Sequence, residues 1–181
     1  CLFLNVWSGA DVDAPAPVMV WLHGGAYTFG SSSQPVYDGE ALAGHGVVVV
    51  TINYRIGALG FLDLSSKSTP EHPFDGNLAL KDVMLALRWV QRNIAAFGGD
   101  PERVTVFGES AGAKSIGLHL LMPGQGELFH RAVMQSNSYG YLYRSQAIAA
   151  WLGEALKNSL DCETAGLRCM QDAPAEEVIE S

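Results

Sequence analysis

A glycine-flanked serine, Gly108-Glu109-Ser110-Ala111-Gly112, joins a β-branched and aromatic run, Arg103-Val104-Thr105-Val106-Phe107, to a helix-compatible stretch from Ala111 to Leu121. The run has the composition of a buried strand. No proline interrupts the stretch after the serine until Pro123, which leaves room for about three turns of helix. A strand that turns sharply into a helix needs glycine beside the serine, because a side chain at either flank would crowd the turn. The pattern alone is weak: with 14 serines and 20 glycines among 181 residues, roughly one chain in six of this composition contains it by chance. The strand before it and the helix after it make it informative. Such a junction belongs to sheets whose strands are followed by helices, so it points to an α/β fold.

The rest of the chain agrees. Strands are expected at 2–7, 17–22, 46–52, 103–107 and 131–135. Helices are expected at about 78–97, 111–121 and 145–159, with shorter ones near 164–170 and 174–180. Val83, Leu87, Val90, Ile94 and Phe97 recur at steps of four and three, so one face of the long helix should pack inward. Val47-Val48-Val49-Val50 suits a strand buried on both faces. Strand–helix alternation predicts a doubly wound α/β sheet. No internal repeat or linker is visible, and Ser31-Ser32-Ser33 and Ser65-Ser66-Lys67-Ser68-Thr69-Pro70 read as surface loops within one domain.

The chemistry lies in two turns. The strained backbone at Ser110 would lift its hydroxyl to where a substrate carbonyl can reach it. Pro17-Val18-Met19-Val20-Trp21-Leu22 reads as a second strand, and it runs directly into His23-Gly24-Gly25-Ala26-Tyr27. A small-residue loop after a strand exposes N–H groups that no side chain blocks. In acyl transfer such donors, with the N–H after the nucleophile, stabilise the oxyanion of the tetrahedral intermediate. Taken alone this loop would be an ordinary glycine turn; paired with the serine turn about 85 residues later, it reads as functional.

These blocks together resemble the type-B carboxylesterases, the cholinesterase-like branch of the α/β-hydrolases. The resemblance runs through Cys1-Leu2-Phe3-Leu4-Asn5-Val6-Trp7, Trp21 to Tyr27, and Asn53-Tyr54-Arg55-Ile56-Gly57-Ala58-Leu59-Gly60-Phe61. It continues through Ala86 to Ile94, Phe97-Gly98-Gly99-Asp100-Pro101, Val106 to Gly112, and Arg131-Ala132-Val133-Met134-Gln135-Ser136. The wording Gln135-Ser136-Asn137 is nearest to bacterial members. The resemblance implies an α/β-hydrolase fold with helices on both faces of a mixed, mostly parallel sheet, antiparallel at one edge. Residues 1–181 would be the N-terminal and central part of a single catalytic domain. It implies a carboxylic-ester hydrolase working through an acyl-enzyme, with no cofactor and a small carboxylic ester as substrate.

Site roles come from the same resemblance. Ser110 matches the nucleophile, and Gly25, Ala26 and Ala111 match the three residues whose N–H groups form the oxyanion hole. Alanine at 26, where some members have glycine, still donates its N–H. Glu109 and Ser136 match positions that line the floor of the site through hydrogen bonds, and Gly24 belongs with them around it. The plainer reading of Glu109 and Ser136 is a polar pair satisfied by backbone. The family's acid and histidine come after the serine, at positions expected beyond Ser181. His23, His45, His72, His119 and His130 occupy none of them, so the chain reads as an internal piece of an esterase, inactive by itself.

Cys162 and Cys169 resemble a family disulfide, and Cys1 matches a cysteine whose partner lies upstream; three reduced thiols remain the alternative. The pair would imply an oxidising compartment, the thiols a cytosol. Neither cysteines nor histidines have metal-ligand spacing. The balance of 11 basic against 19 acidic residues argues against nucleic acid as a partner, and no long apolar segment is present to cross a membrane. Two other functions compete. One is a non-catalytic binding or adhesion protein, against which the intact Ser110 and glycine loop speak. The other is a different serine hydrolase on the same turn, such as a lipase, thioesterase or peptidase.

Overall fold

The computed structural model describes residues 2–10, 13–71, 73–137, 140, 143–162 and 166–180. They divide into two units, 1–54 with 80–140 and 55–79 with 141–181. The first unit is built on a five-stranded sheet in the order β1-β3-β2-β4-β5. Its strands are β1 (Leu4–Trp7), β2 (Ala16–Leu22), β3 (Val48–Ile52), β4 (Gly99–Glu109) and β5 (Arg131–Gln135). β1 runs antiparallel to β3 at one edge, and the other pairings are parallel. The sheet is therefore mixed and mostly parallel, as expected. All five residues of β3 are buried, so the valine run is covered on both faces. In β2 burial alternates instead, with Val18, Val20 and Leu22 fully inside.

Register positions the site. Leu22 pairs with both Ile52 and Gly108, and Glu109 pairs with Gln135. The C-terminal ends of β2, β4 and β5 thus meet at one rim of the parallel strands, where ligands bind in open α/β sheets. β4 is longer than the expected 103–107 because Gly99 pairs with Ala16 and Val104 with Val18 across an irregularity. The intervening residues make their own turn: Asp100 accepts from the Glu102 N–H and from Arg103. The half-buried Asp100 carboxyl is held below its usual range, chiefly by that Arg103 hydrogen bond.

Two short helices punctuate the unit, α1 (Glu40–Ala43) beside β3 and α4 (Ala111–His119) against β4, β5 and β2. α4 stops short of the expected Leu121, and Leu120 and Leu121 continue as a turn before Pro123. The long helix α3 (Leu78–Asn93) buries Val83, Leu87 and Val90, and the face continues to Ile94. Phe97 departs from the expected face and is 40% exposed. Residues Ile94–Phe97 form a 3₁₀ turn, which advances fewer residues per turn than an α-helix and rotates Phe97 out of phase. Its ring instead tilts against Trp89 at 5.8 Å. Leu87→Ala is therefore expected to cost about 3 kcal/mol, and Leu85→Ala, exposed on the same helix, less than about 0.5 kcal/mol; urea midpoints of the two variants check the contrast.

The Ser31-Ser32-Ser33 reading also needs correction, because Ser32 is buried. Its N–H donates to Asn53 Oδ1 at 2.9 Å and its carbonyl accepts from Thr51 Oγ1 at 3.3 Å. The loop lies at the surface, with Ser33 exposed, and only Ser32 is drawn inward against β3.

The second unit holds α2 (Gly57–Phe61), α5 (Gln146–Ser159), α6 (Gly166–Asp172) and α7 (Ala175–Glu180). Ser145 caps α5 by accepting from the Ile148 N–H. Gly153 of α5 lies so close to the Asp63 carbonyl that a Cβ would stand 2.4 Å from it. Cys162 and Cys169 are disulfide-bonded with Cα atoms 5.7 Å apart; Cys1 lies outside the described residues.

Candidate active site

Ser110 stands between the last residue of β4 and the first of α4 with φ 53° and ψ −116°. Side chains other than glycine's rarely adopt this backbone, and it costs of order 1–3 kcal/mol. Bonds on both sides impose it: the Ser110 N–H donates to the Gln135 carbonyl at 3.0 Å, and its own carbonyl accepts from Lys114 at 2.9 Å. The flanking glycines are required, at Gly108 partly by crowding within the turn, where a Cβ would stand 2.9 Å from the Gly112 carbonyl carbon and 3.1 Å from the Ala113 nitrogen. A Cβ at Gly108 would stand 2.8 Å from the Leu22 carbonyl oxygen, and one at Gly112 only 2.1 Å from the same atom. The neighbouring strand excludes side chains here.

The chain leaving β2 lies against this turn. A Cβ at Gly24 would come within 2.7 Å of Glu109 Oε2 and 3.3 Å of Ser110 Cβ. Gly25, Ala26 and Tyr27 then take positive φ of 113°, 52° and 64°. Gly25 has no alternative, since its Cβ would fall 2.1 Å from the Phe29 carbonyl oxygen. Thr28 and Phe29 both donate N–H back to the Gly25 carbonyl. Among the described residues, no backbone carbonyl accepts from the N–H of Gly25 or Ala26. Ala111, as first residue of α4, has no intrahelical partner for its own. Tyr27 Oη lies 3.2 Å from Ser115 Oγ on α4, tying loop to helix.

Behind the loop sits a polar pair that sequence reasoning did not single out. The His23 ring stacks on Tyr54 with centroids 4.3 Å apart and planes at 10°. The Tyr54 hydroxyl donates to the His23 carbonyl at 2.5 Å. Burial pushes the Tyr54 phenol far above its usual range, so it stays a donor. His23 is fully buried, and burial pushes its pKa below 6.5, only partly opposed by its bond to the Gly24 carbonyl. A histidine that must be neutral when folded favours unfolding wherever the unfolded chain binds the extra proton. Stability should therefore fall as pH drops through about 6.5 toward the lowered value, and His23→Asn should flatten that acid limb; thermal melts from pH 7 downward check it.

Glu109 is half-buried beside Gly24, and Ser136 comes directly after β5, exposed, with φ 54°. Asn137, not anticipated, donates from Nδ2 to the Ala113 carbonyl at 3.1 Å. His45 and His130 are exposed, His119 is buried in α4, and His72 lies outside the described residues. Among the described residues no histidine is hydrogen-bonded to Ser110, and no three His, Cys, Asp or Glu side chains are arranged to hold a metal. No described helix is long and apolar enough to cross a membrane.

Comparison with known proteins bears on this arrangement. A model described as the carboxylesterase family matches residues 1–181. The para-nitrobenzyl esterase of Bacillus subtilis is 49% identical over 148 residues, 81% of this chain and 30% of the relative. The cholinesterase of Mus musculus is 43% identical over 190 residues, 99% of this chain and 30% of the relative. A crystal structure of a carboxylesterase from Geobacillus stearothermophilus matches with a TM-score of 0.92 and 46% identity, over 99% of this chain and 39% of that one. The chain thus spans about a third of the length of these relatives. The fold is their α/β-hydrolase fold.

Proposed function

The chain belongs to the carboxylesterase family, and from that premise we propose that it carries the nucleophile and the oxyanion-binding loop of a carboxylic-ester hydrolase. The observation that carries the proposal is the strained backbone of Ser110, at the strand rim and with the Gly24 loop packed against it. Strain persists where the surroundings over-determine it, and a hydroxyl presented on such a turn is the geometry of a serine nucleophile.

In the proposed reaction Ser110 Oγ attacks the ester carbonyl carbon, and its proton passes to a histidine oriented by a carboxylate. Both would come from outside residues 1–181, with this span as the N-terminal and central part of one catalytic domain. The carbonyl oxygen becomes an oxyanion, held by the N–H groups of Gly25, Ala26 and Ala111. Collapse breaks the bond to the alkoxy oxygen, which leaves as alcohol with the proton. Water then repeats the sequence on the acyl-enzyme, releasing the carboxylic acid and restoring Ser110. Glu109, Ser136 and Gly24 shape the surround of the reacting atoms. The 181-residue chain alone would lack the base.

A panel of p-nitrophenyl esters tests the reading on the complete enzyme, with matched thioesters and peptides alongside. Turnover of short-chain esters that Ser110→Ala abolishes is expected. Turnover of thioesters or peptides but not esters would overturn the substrate class; no hydrolysis of any of them would favour a binding protein.

A further inference from the structure

A trans peptide is planar, so one residue's C=O and the next residue's N–H point in opposite directions within one plane. Whatever holds the carbonyl therefore aims the N–H. All three proposed oxyanion donors are aimed in this way. Lys114 donates to the Ser110 carbonyl at 2.9 Å, which aims the Ala111 N–H. Thr28 and Phe29 donate to the Gly25 carbonyl at 2.9 and 3.1 Å, which aims the Ala26 N–H. The Gly24 carbonyl, which governs the Gly25 N–H, receives no backbone donor among the described residues. It lies 2.7 Å from His23 Nδ1 instead. The first donor is aimed by a side chain.

The same contact settles the histidine's tautomer. A carbonyl only accepts, so Nδ1 carries the proton and Nε2 is bare. Nε2 is buried with no hydrogen-bond partner among the described residues. Tyr54 covers one face of the ring and holds the His23 carbonyl. On the Nδ1 side, Gly30 packs so closely that a Cβ there would stand 2.6 Å from that nitrogen. The ring has no room to turn away from Gly24.

We infer that His23 is a positioning residue for ester hydrolysis: as the Nδ1–H tautomer it fixes the Gly24–Gly25 peptide plane and so aims the Gly25 N–H at the developing oxyanion. This rests on the reading of Ser110 and its loop as an ester-hydrolysing site. His23 touches no substrate atom; it acts through the backbone.

Three variants of the complete enzyme separate this role from mere support. His23→Phe keeps the ring and its stack but has no donor. His23→Asn places an amide N–H close to where Nδ1 stands, and His23→Gln sets it one carbon farther out. Losing an oxyanion donor outright costs about 10²–10³ in kcat, so a donor that remains but loses its aim should cost about 10–100-fold. For His23→Phe, kcat should fall by that factor with KM within about two-fold, the signature of an interaction made in the transition state. Affinity for a trifluoromethyl ketone, whose adduct with the serine is tetrahedral, should fall in parallel, and inhibition by the product alcohol, which carries no oxyanion, should not change. His23→Asn should recover most of kcat and His23→Gln should not, a contrast that stands even where His23→Phe fails to fold. Nitrogen-15 spectra of histidine-labelled wild type should show the resonance missing from His23→Asn protonated at Nδ1. Wild-type kcat and ketone affinity in His23→Phe, or a proton on Nε2, would overturn the inference while leaving the esterase reading intact. A wild type that turns over no ester would end both.

Discussion

Replacing Ser110 by alanine is expected to lower kcat by about 10⁶-fold, the size of loss seen when a serine protease loses its nucleophile, with no change in folding. Replacing it by glycine should abolish turnover equally but raise stability. The backbone at φ 53° and ψ −116° costs a serine or alanine about 1–3 kcal/mol, which glycine avoids. Against that, glycine loosens the unfolded chain by about 0.5–1 kcal/mol. The strain term is the larger, leaving a net gain of about 1 kcal/mol for Ser110→Gly over Ser110→Ala. Urea midpoints of the two variants read the difference directly. A midpoint for Ser110→Gly below that of Ser110→Ala, by the unfolded-state term of about 0.5–1 kcal/mol, would mean that the turn stores no strain, and the claim that the fold forces the hydroxyl into place would lose its support.

Gly112→Ala should damage both stability and turnover through packing alone. Its new Cβ would lie 2.1 Å from the Leu22 carbonyl oxygen and 2.7 Å from the carbonyl carbon. Neither is the end of a flexible side chain; both belong to the backbone of β2, paired on both sides within the sheet. The first turn of α4 must therefore move, carrying Ala111 and its N–H with it. Overpacking typically costs 1–3 kcal/mol, and a clash with a central strand belongs at about 3 kcal/mol or above. A displacement near 1 Å would also cut kcat by about 10²-fold in the molecules that still fold. Gly126→Ala is the control, since nothing lies within 4 Å of its would-be Cβ. It should stay within about 0.5 kcal/mol of wild type. Melting curves and kcat for both variants check this pair.

The range of the interactions decides which parts of the fold and site are legible in the amino-acid order. β4, Ser110 and α4 were legible because composition, turn chemistry and helix propensity all act over a few residues. The burial of β3 was legible for the same reason, as four successive valines have no polar face to show. The reason for Gly112 was not, since the atom that excludes its side chain belongs to Leu22, some 90 residues away. Ser32 misled because three serines in a row look solvated; the bonds to Thr51 and Asn53 that bury it come from β3 and the chain just after it. Phe97 misled because its spacing assumes an α-helix, and the helix tightens into a 3₁₀ turn just before it. Short elements such as Glu40–Ala43 and Gly57–Phe61 complete too few turns to leave a periodic trace. Tyr54 left no local sign of its work on His23, because stacking and hydrogen bonding join residues 31 apart in sequence.

The central claim, that Ser110 is the nucleophile, is tested most directly by treating the complete enzyme with a fluorophosphonate and mapping the adduct by peptide mass spectrometry. The account predicts one equivalent of label on the peptide containing Ser110, formed rapidly and absent from Ser110→Ala. A label on another serine, or an enzyme that turns over esters while Ser110 stays unmodified, would contradict it.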